Sequence, residues 1–115
     1  MPNPVMHFEI IHKDAKQLQS FYADVFGWKI DASNPMDYGI VDTGEGAGGG
    51  IGGVPYPNYP GHLTFYVQVE DLQATLDHIE KLGGKTVMPP DEVPGGPTIA
   101  QFTDPSGHLI GLTKA

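Results

Sequence analysis

The chain states one pattern twice, and no other feature of it constrains the fold as strongly. Residues 7–29 have a counterpart in residues 62–85. Each copy opens on a histidine (His7, His62) at the head of an alternating segment. An amphipathic helical segment follows and stops at a glycine, Gly27 or Gly83, with a lysine two residues on, Lys29 or Lys85. The offset is 55 between the histidines and 56 between Gly27 and Gly83, so the register slips by one residue. Within 115 residues such a period means two copies of one supersecondary unit. It also sets a histidine at the same place in each copy.

Period-two alternation from Val5 to Ile11 puts Met6, Phe8 and Ile10 on one side of a strand and His7, Glu9 and Ile11 on the other. Asp14 with Gln17 predicts a helix N-cap and capping box. Leu18, Phe21, Tyr22 and Val25 form the helix's apolar stripe, and Gly27 stands at its C-cap. Residues 29–30, 38–42 and 51–54 are short strands. In the second copy Leu63, Phe65, Val67 and Val69 face the apolar side. His62, Thr64, Tyr66 and Gln68 face a polar, partly wet side. Asp71 caps a helix whose buried stripe is Leu72, Leu76, Ile79 and Leu82. Residues 85–88, 99–103 and 109–113 are strands, and Pro89–Pro97 reads as a loop too rich in proline for a central strand.

Each copy is therefore βαβββ. The expected fold is α+β: two modules, about 5–54 and about 62–113, in a single domain over 1–115. They form an eight-stranded open, curved, barrel-like sheet with helices outside, and their polar faces line a concave cavity suited to a small-molecule ligand.

Charge narrows the partners. Six basic against fourteen acidic residues give −8, with no basic patch to neutralise phosphates, so no nucleic acid is expected. The absence of cysteine removes disulfides, thiolate metal sites and cysteine nucleophiles. No apolar run reaches membrane-spanning length and no leader pattern opens the chain, so no membrane and a cytoplasmic location are expected. Glycines 44, 46 and 49, like 48, 50 and 53, satisfy the spacing of a dinucleotide loop. Yet Ile51 and the segment Val54–Pro57 follow where that loop must open a helix, and residues 44–53 read instead as a flexible loop. His12, His78 and His108 read as structural or solvated. No serine lies in a nucleophile-elbow context.

His7 and His62 are the candidate metal ligands, because neutral imidazoles from paired strands can converge on a divalent ion. Glu9, two residues along the same face, is the candidate catalytic base or third ligand. Glu9, Thr64, Tyr66 and Gln68 make up the candidate ligand-binding surface.

These features together resemble the vicinal oxygen chelate superfamily, which holds lactoylglutathione lyases, extradiol dioxygenases and bleomycin-resistance proteins. The residues that carry the resemblance are Phe21, Tyr22, Phe26, Gly27 and Trp28, then Val69–Leu72, and the closing Asp104, Pro105, Gly107 and Leu112. It covers about residues 5–113. The resemblance implies a metal site with one ligand on the first and last strand of each module. His7 and His62 match the two first-strand ligands. The other two should be glutamates, but only glycine stands near the end of Ile51–Gly53, and Gly111 aligns with the last. It also implies a homodimer.

Two function classes follow. The preferred one is a small-molecule-binding protein with a degenerate metal site and no cofactor. The alternative is a metal-dependent lyase, isomerase or epimerase, with one zinc, nickel or manganese ion on His7, His62 and a non-standard carboxylate such as Glu9. A purely structural domain gives no reason for the polar alternation of residues 62–68.

Overall fold

The structure, a computed structural model, describes residues 2–115. β1 (Val5–Ile11) leads into α1 (Ala15–Phe26), β2 (Lys29–Asp31), β3 (Gly39–Asp42) and β4 (Gly48–Gly52). β5 (His62–Val69) leads into α2 (Leu72–Lys81), β6 (Lys85–Glu92), β7 (Thr98–Thr103) and β8 (Leu109–Lys114). This is the expected α+β pattern, βαβββ twice, with eight strands in mixed pairing. The residues group into two compact units. The first is His7–Leu63; the second is Thr64–Ala115 with residues 2–6. No helix among the described residues is long and apolar enough to cross a membrane.

Within the first unit the strands run β2-β3-β4-β1, with β4 parallel to β1 and the other pairs antiparallel. Within the second they run β6-β7-β8-β5, with β8 parallel to β5 and the rest antiparallel. The two orders coincide strand for strand, which is the sequence repeat expressed as hydrogen bonding.

The helices are built from their ends. Gly27 adopts φ +71° and returns its N–H to the Ala23 carbonyl, a left-handed cap that a side chain would strain. Asp71 caps α2 by accepting from the Ala74 N–H at 3.0 Å, an interaction worth about 1 kcal/mol. The capping box expected at Asp14 does not form. Its side chain makes no cap bond, and its own N–H donates to His12 Nδ1 instead.

The units fill their interiors differently. In the second, Leu72 and Leu76 of α2 pack with Val69, Ala100 and Leu112. In the first, Ile11, Val41 and Ile51 are the buried apolar side chains, and the partly exposed rings of Phe8, Tyr22 and Phe26 surround Trp28 at centroid distances of 5.4, 5.6 and 5.2 Å. None of the predicted α1 stripe is fully buried, and Phe21 and Val25 are each 53% exposed.

Two loop expectations are corrected. Gly48–Gly52 is not part of a flexible loop but a strand paired on both sides, with residues 49–52 buried. A Cβ on Gly49 would lie 2.5 Å from the Phe8 ring. One on Gly50 would lie 1.7 Å from Tyr38 Oη, and one on Gly52 2.5 Å from the Tyr38 ring. The glycines clear both faces of the strand for rings from neighbouring segments. Pro89 and Pro90 lie inside β6, the end strand of its unit's order. Register shifts between Thr86 and Met88 and between Met88 and Asp91 absorb the missing donors.

Candidate functional site

Five side chains of the first unit join in one line of hydrogen bonds. His7 Nε2 lies 3.2 Å from Tyr38 Oη, and the Tyr38 hydroxyl donates to Glu9 Oε2 at 3.1 Å. Glu9 Oε1 lies 2.9 Å from His62 Nε2, and His62 Nδ1 lies 2.5 Å from Tyr59 Oη. The glutamate and histidine side chains of the central pair are 14% and 13% exposed.

Local sequence places each member. The alternation of β1 sets His7 and Glu9 on one face. Tyr38 follows a turn built by Asn34, whose Oδ1 accepts from the N–H groups of Met36 and Tyr38 and whose Nδ2 donates to the Tyr38 carbonyl. Asp37, at φ +52°, completes that turn. Gln19 of α1 ties the turn before Tyr38 to β4 by donating to the carbonyls of Asp37 and Ile51. Tyr59 folds back through its N–H to the Tyr56 carbonyl, and its ring meets the His62 imidazole edge-on at 5.6 Å.

Donor and acceptor chemistry gives the line a direction. An ionised Glu9 can only accept, so Tyr38 O–H and His62 Nε2–H both point to it. Tyr38 has spent its single proton, and His7 Nε2–H must donate to it. A neutral His62 protonated at Nε2 has its lone pair on Nδ1, where the Tyr59 hydroxyl donates. Every proton in the line is turned toward Glu9. Burial holds the His7 imidazole below its ordinary pKa of 6.5, and the nearby Glu9 carboxylate only partly opposes this. Burial raises the Tyr59 phenol, helped by Tyr56 and Glu9, so Tyr59 keeps its proton at neutral pH.

This arrangement does not fit a divalent ion. Among the described residues no three His, Asp or Glu side chains converge to hold one. Each Glu9 oxygen is already a hydrogen-bond acceptor. Gly52 and Gly111, where the resemblance implies carboxylates, are register-equivalent: Gly52 pairs with Ile11 and Gly111 with Tyr66, 55 residues apart in the repeat. Both are covered by tyrosine rings, Gly52 by Tyr38 and Gly111 by Tyr66.

His7, Glu9 and His62 thus belong to one hydrogen-bonded line. Thr64, Tyr66 and Gln68 belong to the second unit. Thr64 is buried and donates to the Leu109 carbonyl, and the buried Tyr66 hydroxyl accepts from Gln101 Nε2. Gln68 is half-buried, and its N–H donates to the Pro4 carbonyl. The expectation of a wet polar face and a buried apolar one on β5 is reversed at its start. Thr64 and Tyr66 are each 5% exposed, against 75% for Leu63 and 41% for Phe65. The polar pair goes inside because each hydroxyl finds a partner there and Gly111 leaves room for the ring.

His12 accepts the Asp14 N–H, His108 pairs with Asp104 at 3.0 Å, and His78 lies exposed on α2, so none of the three joins the line. Tyr38 and Tyr59 were not foreseen. The glycine run was the available signal for Tyr38, since a strand of glycines needs bulk from elsewhere. Tyr59 sits among Pro55, Pro57 and Pro60, a context that reads only as loop.

Comparison with known proteins agrees with this architecture. Residues 5–112 match the Glyoxalase/Bleomycin resistance protein/Dioxygenase superfamily. A probable lactoylglutathione lyase of Vibrio cholerae is 29% identical, over 96% of this chain and 89% of its own length. The Mycobacterium bovis protein CFP32 is 26% identical over 83% of this chain, but the match spans only 38% of that longer protein. The crystal structure of methylmalonyl-CoA epimerase from Mycobacterium tuberculosis superposes with a TM-score of 0.72 at 16% identity, covering 96% of this chain and 86% of that one; the likeness is one of fold. With two βαβββ units of identical strand order and a family match along nearly its whole length, the chain belongs to the glyoxalase/bleomycin resistance protein/dioxygenase superfamily.

Proposed function

We propose that this chain binds a small molecule without a metal. The ligand is received on the face that carries His7, Glu9, Tyr38 and His62. One observation carries the reading: both oxygens of Glu9 are committed, one to the Tyr38 hydroxyl and one to His62. In that arrangement His7 Nε2 and His62 Nε2 are both donors and offer no lone pair to an ion, while the second lone pair of each Glu9 oxygen can accept from an organic ligand. The protein works as a homodimer in this reading, which suits the apolar side chains left outside, Phe21, Val25 and Phe26 on α1 and Leu63 and Phe65 on β5.

The test combines metal analysis with a ligand screen. Untagged protein dialysed against zinc, nickel and manganese should retain far less than one ion per chain. At least one compound of a broad neutral and cationic panel should raise the melting temperature by several degrees, and Glu9→Ala should abolish that rise. About one ion per chain, lost in both His7→Ala and His62→Ala, would overturn the reading.

The second reading is a lyase, isomerase or epimerase with Glu9 as the base. The favouring observation is the 2.9 Å contact between Glu9 and a histidine that the repeat places opposite His7. The likeness to the Vibrio cholerae protein supports the same class. A metal-dependent form requires His7, Glu9 and His62 to leave their present partners. Turnover of 2-oxoaldehyde adducts or epimerisable thioesters, lost in Glu9→Gln, supports it; no turnover with or without added metal removes it.

A further inference from the structure

We infer that Tyr38 is the residue that determines what this site can hold: its ring takes the space of a closing-strand carboxylate and its hydroxyl ties His7 to Glu9. The inference rests on the metal-free reading above and adds the cause. Register supplies the first part of the argument. Glu9 pairs with Gly50 and Ile11 with Gly52 along the parallel β1–β4 ladder, so substituents at 50 and 52 would project on the same face as His7, Glu9 and Ile11. A side chain there would reach the histidine–glutamate group. Neither position has room for one: the Tyr38 hydroxyl lies over Gly50 and its ring over Gly52.

The second part comes from the other half of the repeat. Gly111, the register equivalent of Gly52, is likewise covered by a ring, with Tyr66 carbons 2.4 Å from where its Cβ would stand. The covering tyrosines come from different elements, Tyr38 from the turn before β3 and Tyr66 from β5 itself. The repeat therefore did not copy one tyrosine into both modules. Each module reaches the same result, a glycine under a phenol, by its own route.

The third part is the bond pattern. The Tyr38 hydroxyl accepts from His7 and donates to Glu9, so a neutral group links a prospective ligand pair that a cation would otherwise have to bridge. Tyr38 is thus a positioning residue, and the specificity it sets is against metal and for a ligand read by hydrogen bonds.

Cobalt(II) binding, followed by its visible absorption and by competition with a chromophoric chelator, tests this independently of any activity. Three variants are compared with the wild type. In Tyr38→Gly/Gly52→Glu the bulk moves from one position to the other. This variant should bind about one cobalt per chain at least tenfold more tightly than wild type. Tyr38→Gly alone should bind cobalt more tightly when acetate is added, because acetate can enter the vacated space, whereas acetate should change nothing in the wild type. Tyr38→Phe keeps the ring over Gly52 and releases only the two hydrogen bonds of the hydroxyl, so its gain should stay well below tenfold. A folded exchange variant with wild-type affinity, no acetate effect in Tyr38→Gly, or a tenfold gain in Tyr38→Phe each overturns the role given to the Tyr38 ring while leaving metal-free binding standing. Tight stoichiometric cobalt in the wild type, with Tyr38 in place, overturns both.

Discussion

The two units share a strand order and differ in what fills it. The second is a conventional aliphatic interior: α2 buries Leu72 and Leu76 against Val69, Ala100 and Leu112, and its first turn is capped by Asp71. The first has a helix with no side-chain N-cap and no fully buried residue, a strand that is glycine at four of five positions, and a cluster of rings around Trp28 beside its buried Ile11, Val41 and Ile51. The same unit holds the line His7–Tyr38–Glu9–His62–Tyr59. The contrast assigns stability and chemistry to different copies of one pattern. A duplicated fold permits this, because one copy can carry a line of polar groups that satisfy one another while the other keeps a larger aliphatic cluster.

The division is most directly broken in the second unit. Leu76 is 1% exposed, and Leu76→Ala should cost about 2–5 kcal/mol through lost burial and the cavity left behind. Leu18, on the inward face of α1 in the first unit, is only partly buried, and Leu18→Ala should cost about 1 kcal/mol. Urea unfolding of the two variants measures the difference directly. Equal losses would mean that both helices contribute alike and that the comparison fails.

A smaller effect sharpens the first unit's side of it. Gly50→Ala drives a methyl group into the Tyr38 hydroxyl and should cost about 1–3 kcal/mol, whereas Gly53→Ala, with nothing within 4 Å, should be near neutral. In a Tyr38→Ala background the Gly50→Ala penalty should largely vanish, a coupling on the order of 1 kcal/mol or more. Additive losses in that double-mutant cycle would show that the glycine is there for backbone reasons and not to admit the ring.

The same contrast explains what the sequence revealed. In the second unit most local signals agree with the packing: Asp71 caps α2, Leu72 and Leu76 of the expected stripe are buried and Gly83 follows the helix at positive φ, whereas Leu82 at the helix end is 67% exposed and β5 turns Thr64 and Tyr66 inward. His7, Glu9 and His62 were legible because period-two alternation and the repeat assign them positions before any contact is known. The strand at 48–52 was not, because glycine has no side chain to alternate. Its strand character comes from pairing on both sides and from rings supplied by Phe8 and Tyr38, so no local pattern encodes it. For the same reason the partners of Glu9 stayed hidden. Tyr38 lies 29 residues away in a turn whose geometry depends on Asn34 and a positive φ at Asp37. The exposure of Phe21 and Val25 escaped as well, since periodicity marks an apolar face without saying what covers it.

The smallest expected effect separates the polar line from its surroundings by pH. His7 has its pKa lowered in the folded chain because burial disfavours the imidazolium. Below 6.5 the unfolded chain therefore binds a proton that the folded chain resists, and stability rises with pH in that range. The contribution is complete above pH 6.5 and shrinks as pH falls from there toward the folded value, after which it levels off. Asp31 and Asp104, both lowered by hydrogen bonds, act in a different window. Their stabilisation is present above 3.8 and is lost only as pH falls through their folded values. Urea midpoints measured between pH 8 and 5 therefore isolate the histidine, and the decline of the wild type over that span should flatten in His7→Gln. An unchanged slope would place the titrating group elsewhere and remove His7 from the buried end of the line. A flattened one would tie the pH response to the unit that has rings and glycines in place of a leucine core.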